Sequence, residues 1–203
     1  MQAAFWDQRY AESDYVYGTA PNVFFADVLA TLPPGRLLLP CEGEGRNAVY
    51  AAARGWSVQA FDQSAAGRDK ALRLAHHQGL DPDVIDYQLT DVRHFTPDPT
   101  DYDLIALIYT HFGPDTRQAF FRQLQHWLRP GGQVLLEAFT PAQLQLSSGG
   151  PKDPQMLYTT EMLQNDFEEL DILQLEHTRT HLDEGPFHQG EADVVRLLAC
   201  RPI

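Results

Sequence analysis

Five short apolar runs alternate with stretches of helical periodicity, and this alternation restricts the fold more than any other feature of the chain. "RLLL" (Arg36 to Leu39) enters a glycine turn and is followed by the alanine-rich "NAVYAAARG", a helix that Gly55 can close in a left-handed conformation. "SVQAF" (Ser57 to Phe61) ends at Asp62, after which Ser64 can cap a helix carrying Ala71, Leu72 and Ala75 toward Gly79. "DVIDYQL" reads as a third strand before Asp91, and "YDLIALIY" (Tyr102 to Tyr109) is apolar without interruption, as a strand covered on both faces is. Asp115 is placed to cap a helix with Phe120, Leu124, Trp127 and Leu128 at helical spacing, which "RPGG" ends before the strand "QVLLEAF". After the Gly- and Pro-rich "SSGGPKDP" comes a helix with Leu163, Phe167 and Leu170 on one face. "DILQLEHTRTHL" and "ADVVRLLAC" then read as paired strands closing the sheet.

Such alternation implies an α/β fold: a mostly parallel, doubly wound sheet with helices on both faces and ligands bound beyond the carboxyl ends of the strands. A length of 203 residues suits one domain, and 43% apolar residues suffice for a core. The formal charge of -13 would repel a polyphosphate, so nucleic acid is not an expected partner. The opening "MQAAFWDQRY" lacks a basic, apolar leader, and no run approaches bilayer length; a cytoplasmic protein without a membrane partner is expected. Cys41 and Cys200 are too few for a disulfide framework or a four-thiolate zinc site, and the adjacent His76 and His77 diverge on a helix, so no metal site is read. The sequence carries no signal for oligomeric state.

The turn "LPCEGEGRN" (Leu39 to Asn47) lies where the ligand crevice is expected. Gly43 and Gly45 allow positive φ and a close approach to the backbone. A glycine pair alone is equally a tight strand-to-helix turn. Asp62, however, stands at the end of the second strand, where an acid can accept both hydroxyls of a ribose, and this favours a nucleoside-type ligand. Charge separates the ligand classes. A pyrophosphate would face Glu42 and Glu44, with Ala48 where a third glycine is needed, whereas a cationic sulfonium gains from nearby carboxylates.

"EGEGRN", "DQS" at Asp62 to Ser64, "LRPGG" before a strand, and the opening "WDQRYAESDYVYGTAPN" together resemble class I S-adenosylmethionine-dependent methyltransferases. The likeness is to the small bacterial group related to tellurite-resistance and thiopurine methyltransferases, and it extends over nearly the whole chain, including "GGPKD" and "LDEGPFHQGEADVVRLL". It implies a Rossmann-like, seven-stranded sheet whose last strand is antiparallel, with S-adenosylmethionine as cofactor. Gly43 and Gly45, followed by Arg46 and Asn47, would line the cofactor, and Asp62 would bind its ribose beside Gln63 and Ser64. Asp91 and Val92 would hold the adenine edge, and Tyr109 would lie by the methionine portion. Residues 1–22 would form a lid bringing Tyr17 and Gly18 over the cofactor, and residues 140–160 a substrate-side insertion. The usual pattern has an acid at Leu39 and a glycine at Cys41, so the methionine ammonium needs another partner, for which Glu42 is the candidate.

Methyl transfer from a sulfonium depends chiefly on holding a nucleophile in line with the reacting carbon, and a thiolate acceptor needs no base. His111, just past the fourth strand, is the candidate base for an alcohol or amine; positioning a loop is its plainer role. Lys152, Arg179 and His188 could line a pocket for an anionic small-molecule acceptor, against the simpler readings of a solvated charge, a strand-surface ion pair and a loop histidine. Cys41 reads as a small buried filler, its thiol pKa raised by nearby acids. Trp6, Tyr10, Tyr15 and Tyr17 could close over a flat ligand or merely pack. Two weaker alternatives stay open: a module that binds S-adenosylmethionine without turnover, and a NAD-dependent oxidoreductase.

Overall fold

The computed structural model describes residues 3–12, 14–97 and 100–203. Its elements are α1 (Ala3–Tyr10), α2 (Val23–Leu29), β1 (Arg36–Pro40), α3 (Arg46–Ala52), β2 (Ser57–Asp62), α4 (Ala65–His77), β3 (Ile85–Leu89), β4 (Tyr102–Ile108), α5 (Pro114–Gln125), β5 (Leu128–Phe139), α6 (Thr160–Asp166), β6 (Asp171–Asp183) and β7 (Gln189–Cys200). The seven strands make a mixed sheet in the order β3-β2-β1-β4-β5-β7-β6: the mostly parallel part is as the alternation predicts, and the Rossmann-like seven-stranded form is as the family resemblance implies.

The chain divides into two compact units, one comprising residues up to Phe95 with Glu184–Phe187, the other Thr96–Asp183 with His188–Ile203. In the first, β1 pairs in parallel with β2, and β2 with β3. Leu37, Leu38 and Leu39 are fully buried, which is why "RLLL" reads as a continuous apolar run; each contributes about 1.5–3 kcal/mol of burial. Ser64 caps α4 by accepting from the Gly67 amide at 3.1 Å, and Gly55 adopts φ +83° after α3, both as the sequence predicts. In the second unit β4 runs parallel to β5, and β7 lies antiparallel to both β5 and β6. The two closing strands are therefore paired as expected. Among the described residues no helix is long and apolar enough to cross a membrane.

Three local expectations change. Gly113, not Asp115, caps α5: Pro114 at the first helical position has the right φ and needs no donor partner, which leaves Asp115 in the first turn facing the helix dipole. The same helix stops at Gln125, and Leu128 already pairs with Tyr102 as the first residue of β5. "RPGG" is thus a bulge within a strand. The pairing jumps from Tyr102–Leu128 to Leu104–Gln133, Gly131 takes φ +75°, and a β-carbon on Gly132 would lie 2.6 Å from the Tyr102 carbonyl oxygen. Finally, α6 ends at Asp166, so Phe167 is its cap and Leu170 lies beyond it, although Leu163, Phe167 and Leu170 are all buried.

Candidate functional site

In the first unit the turn after β1 leaves the strand through Cys41 (φ +55°), Gly43 (φ +59°) and Gly45 (φ +83°). The positive φ values are as expected, yet the space beside each glycine is filled by the protein. A β-carbon on Gly45 would lie 2.3 Å from that of Ala71 on α4, and one on Gly43 would lie 2.7 Å from the Tyr10 hydroxyl. Gly45 is therefore required by the approach of α4 to the turn, a packing reason the spacing did not disclose. Cys41 carries the left-handed conformation that a glycine usually takes. Burial and the charges of Asp62 and Asp91 push its thiol well up, so it remains protonated.

The turn's charged residues have distinct partners. Glu42 reaches forward to the start of α3: its Oε1 accepts the amides of Asn47 and Ala48, both at 2.8 Å, supplying the cap that Gly45 lacks. Glu44 is buried and accepts from the Val16 amide at 2.9 Å and the Lys70 ammonium at 2.8 Å. Arg46 donates to Glu184 at 2.8 Å and to the Tyr17 carbonyl at 3.3 Å, and the Asn47 side chain accepts from the Asn22 amide at 2.9 Å.

Asp62 is buried at the end of β2. One oxygen accepts from the Gly43 amide at 3.1 Å and the other from the Ser64 amide at 2.8 Å, which ties the second strand's end to the glycine turn. Burial outweighs these bonds and pushes its carboxyl up to about 6; burial likewise takes Glu42 to about 7. Among the described residues neither carboxylate meets a cationic side chain at ion-pair distance; Arg46, whose charge acts on Glu42, is paired with Glu184. Gln63 leads from Asp62 into Ser64. Asp91 is partly exposed and paired with Arg93 at 2.8 Å, a hydrogen bond that holds its carboxyl below the usual range; Val92 is buried.

Residues 1–22 were expected as a lid, of which 1, 2 and 13 lie outside the described residues. Asp7 of α1 accepts from the Ser64 hydroxyl at 2.7 Å, fastening that helix to the start of α4. Trp6 stacks on Tyr10 at 5.5 Å, and Arg9 donates to the Tyr17 hydroxyl at 3.0 Å. Tyr15 donates to the Lys70 carbonyl at 3.0 Å. Gly18 (φ +71°) passes so near Gly185 that a β-carbon on Gly185 would lie 2.4 Å from the Gly18 nitrogen. Sequence reasoning missed Lys70, Glu184 and Tyr87, whose hydroxyl donates to the Gly43 carbonyl at 2.7 Å, because these partners are remote in sequence and follow no spacing rule.

In the second unit Tyr109 ends β4 with φ +52°. Its hydroxyl donates to Glu137 at 2.7 Å, and its ring stacks on Phe139 and meets the edge of the buried His188, each at 4.6 Å. His111 is spent at both nitrogens: Nδ1 lies 2.6 Å from the Met156 carbonyl oxygen, to which it donates, and Nε2 accepts from the Phe139 amide at 3.3 Å. Burial lowers its pKa to about 4, so the ring is neutral. Lys152 is exposed, and Arg179 is an exposed strand residue 3.4 Å from Asp193. The three residues expected to line an anion pocket thus have unlike surroundings, and the simpler readings of Lys152 and Arg179 describe them well. Among the described residues no group of three or more His, Cys, Asp or Glu could hold a metal ion.

Residues 39–132 match a family model described as "Methyltransferase domain". No curated protein sequence matches the chain. Three solved structures illustrate the likeness of fold. One, from work on the conversion of a disulfide bond into a thioacetal group during echinomycin biosynthesis, has a TM-score of 0.76 at 18% identity, covering 98% of this chain and 92% of that one. TehB from Haemophilus influenzae gives 0.70 at 15% identity, with 98% and 66% covered. The N-methyltransferase NodS from Bradyrhizobium japonicum WM9, in complex with S-adenosyl-L-homocysteine, gives 0.72 at 13% identity, with 99% and 98% covered. The chain therefore has the Rossmann-like methyltransferase fold, and its segment from β1 through the bulge of β5 matches a methyltransferase domain.

Proposed function

We propose that this protein is an S-adenosylmethionine-dependent methyltransferase, one domain over 1–203, that acts in the cytoplasm on a small-molecule acceptor by in-line displacement. We group it with the small bacterial enzymes related to tellurite-resistance and thiopurine methyltransferases. The observation that carries the reading is the pair Glu42, in the positive-φ turn, and Asp62, at the end of β2, neither of which has a cationic side chain at ion-pair distance among the described residues. Such a site is short of positive charge, and a ligand with a sulfonium and an ammonium supplies it. The same carboxylates oppose a pyrophosphate, which weighs against NAD.

In this reading Asp62 accepts the ribose hydroxyls with the lone pairs left over from Gly43 and Ser64, and Gln63 and Ser64 shape that edge. Gly43, Gly45, Arg46 and Asn47 form the floor of the cofactor site, Asp91 and Val92 bound the adenine, and Tyr17 and Gly18 cover it. Glu42 takes the ammonium in place of the acid missing at Leu39. S-adenosylmethionine supplies a methyl group already activated by its sulfonium. The chain's own contribution is placement. Tyr109 and His188 serve the reacting side through a rigid aromatic stack, and His111 acts as a positioning residue that ties Met156 to Phe139, since both its nitrogens are engaged. With both nitrogens of His111 engaged, a soft nucleophile such as a thiol, which needs no base once ionised, is the favoured acceptor.

Calorimetric titration with S-adenosylmethionine, S-adenosylhomocysteine and NAD tests the cofactor; tight binding of NAD alone would overturn it. Incubation with labelled methyl donor and a panel of thiols, selenite and tellurite, followed by product mass analysis, tests turnover. Binding without a methylated product across that panel would replace the enzyme with a sensor of the same ligand.

A further inference from the structure

Residues 14–18 form neither helix nor strand, yet they are held by two side chains from distant parts of the first unit. Glu44 Oε2 accepts from the Val16 amide at 2.9 Å and the Tyr17 amide at 3.3 Å. Lys70 Nζ donates to Glu44 Oε1 at 2.8 Å and to the Asp14 carbonyl at 2.6 Å, and the Tyr15 hydroxyl returns a bond to the Lys70 carbonyl at 3.0 Å. Both side chains are almost wholly buried, at 3% and 1% exposure, so water offers no ready substitute for these partners. Glu44 also sits between Gly43 and Gly45, two of the three left-handed positions of the turn.

We propose that Glu44 and Lys70 are positioning residues that hold residues 14–18 against the glycine turn, so that Tyr17 and Gly18 cover the cofactor only while this buried pair is intact. One residue then belongs both to the turn that receives the ligand and to the clasp that covers it. A ligand ordering the backbone from Gly43 to Gly45 aims the Glu44 carboxylate at the strap, and a closed strap in turn holds that backbone, so the two events favour each other. Arg46 contributes through the Tyr17 carbonyl, but it is anchored to Glu184 and remains in place when the Glu44–Lys70 pair is broken. The proposal rests on the reading of Tyr17 and Gly18 as cofactor residues.

The test uses the full chain with K70M and E44L/K70M. K70M strands a buried carboxylate and can impair folding, whereas E44L/K70M removes both charges at similar volume, a replacement that buried pairs tolerate. The aliphatic side chain introduced by E44L offers no acceptor to the Val16 and Tyr17 amides. Native-state hydrogen exchange of those two amides is compared with that of β1, and the dissociation rate of S-adenosylhomocysteine is measured in parallel. The expected result for E44L/K70M is about tenfold faster exchange at Val16 and Tyr17 with β1 unchanged, and about tenfold faster ligand release. Unchanged protection at Val16 and Tyr17 in the folded double variant overturns the proposal, as does unchanged ligand release once those amides have opened. If the native chain binds no S-adenosylhomocysteine while the amides still open in the variant, the clasp stands and the cofactor reading falls.

Discussion

Glu137 holds Tyr109 at both ends: its carboxylate accepts the phenol at 2.7 Å and its carbonyl accepts the Tyr109 amide at 2.8 Å. A tyrosine with φ +52° persists only where its surroundings over-determine it, and here one residue of β5 does so. The second carboxylate oxygen accepts from Arg196 at 2.6 Å, so both oxygens of the buried Glu137 are engaged. Glu137→Leu should cost about 1–3 kcal/mol in urea unfolding, because it removes the acceptor of the phenol and the closest partner of Arg196, which keeps Glu176 at 3.9 Å and some solvent. Tyr109→Phe, which removes one bond to a charged group, should cost about 1.5–3 kcal/mol.

Gly45→Ala should destabilise the ligand-free protein by about 2 kcal/mol or more, since it combines a disfavoured φ with a β-carbon placed 2.3 Å from that of Ala71. The same β-carbon would lie 2.8 Å from the Ala71 Cα and φ +83° would persist, so Gly45→Ala with Ala71→Gly should recover only a small part of the loss. Chemical denaturation without ligand checks this; full recovery would show that the Ala71 methyl alone requires this glycine, and a Gly45→Ala variant as stable as the native chain would refute the packing reason.

Cys41→Gly should stabilise the fold by about 0.5–1 kcal/mol, because relief of left-handed strain at φ +55° exceeds the entropy that glycine adds to the unfolded chain. The native thiol, held protonated by burial and by Asp62 and Asp91, should alkylate far more slowly at pH 8 than a free cysteine. Mass analysis of iodoacetamide-treated protein checks this.

The raised carboxyls give a sign that can be checked. Between the unfolded values of 4.5 and 3.8 and the folded values of about 7 for Glu42 and about 6 for Asp62, the folded state binds more protons than the unfolded. Their contribution to stability is therefore fully present below pH 4 and is lost as pH rises toward 7. A bound cation favours the ionised forms, so S-adenosylmethionine should bind more tightly at pH 8 than at pH 5.5, with proton release near pH 6.5. Calorimetry in buffers of different ionisation enthalpy measures both; affinity independent of pH would separate these carboxylates from the cation.

His111 has the opposite sign. Its folded pKa of about 4 lies below the ordinary 6.5, so the unfolded chain binds more protons in that window and stability falls as pH drops from 6.5 toward 4. His111→Gln cannot span both the Met156 carbonyl and the Phe139 amide. It should lower the melting temperature at pH 7.5 and remove this acid-side slope. If the native chain turns over as proposed, its pH profile should show no inflection from this ring near pH 6.5.

The amino-acid sequence by itself determined the strand and helix order, the buried character of "RLLL" and "YDLIALIY", the cap at Ser64 and the left-handed glycines. Each of these depends on residues within a few positions of one another, where the periods of strand and helix and the steric freedom of glycine act directly. Tertiary structure alone decided what the acidic turn does. Glu44 meets Lys70 and the strap, Arg46 meets Glu184, and Gly45 makes room for Ala71, while Glu42 and Asp62 are left without a cationic partner among the described residues. The bulge at "RPGG" belongs to the same class, since it reads locally as a helix stop and becomes strand only by pairing with β4. A buried charge takes whichever opposite charge or amide the packed chain brings near, and that choice is made by contacts tens of residues apart that no local pattern encodes.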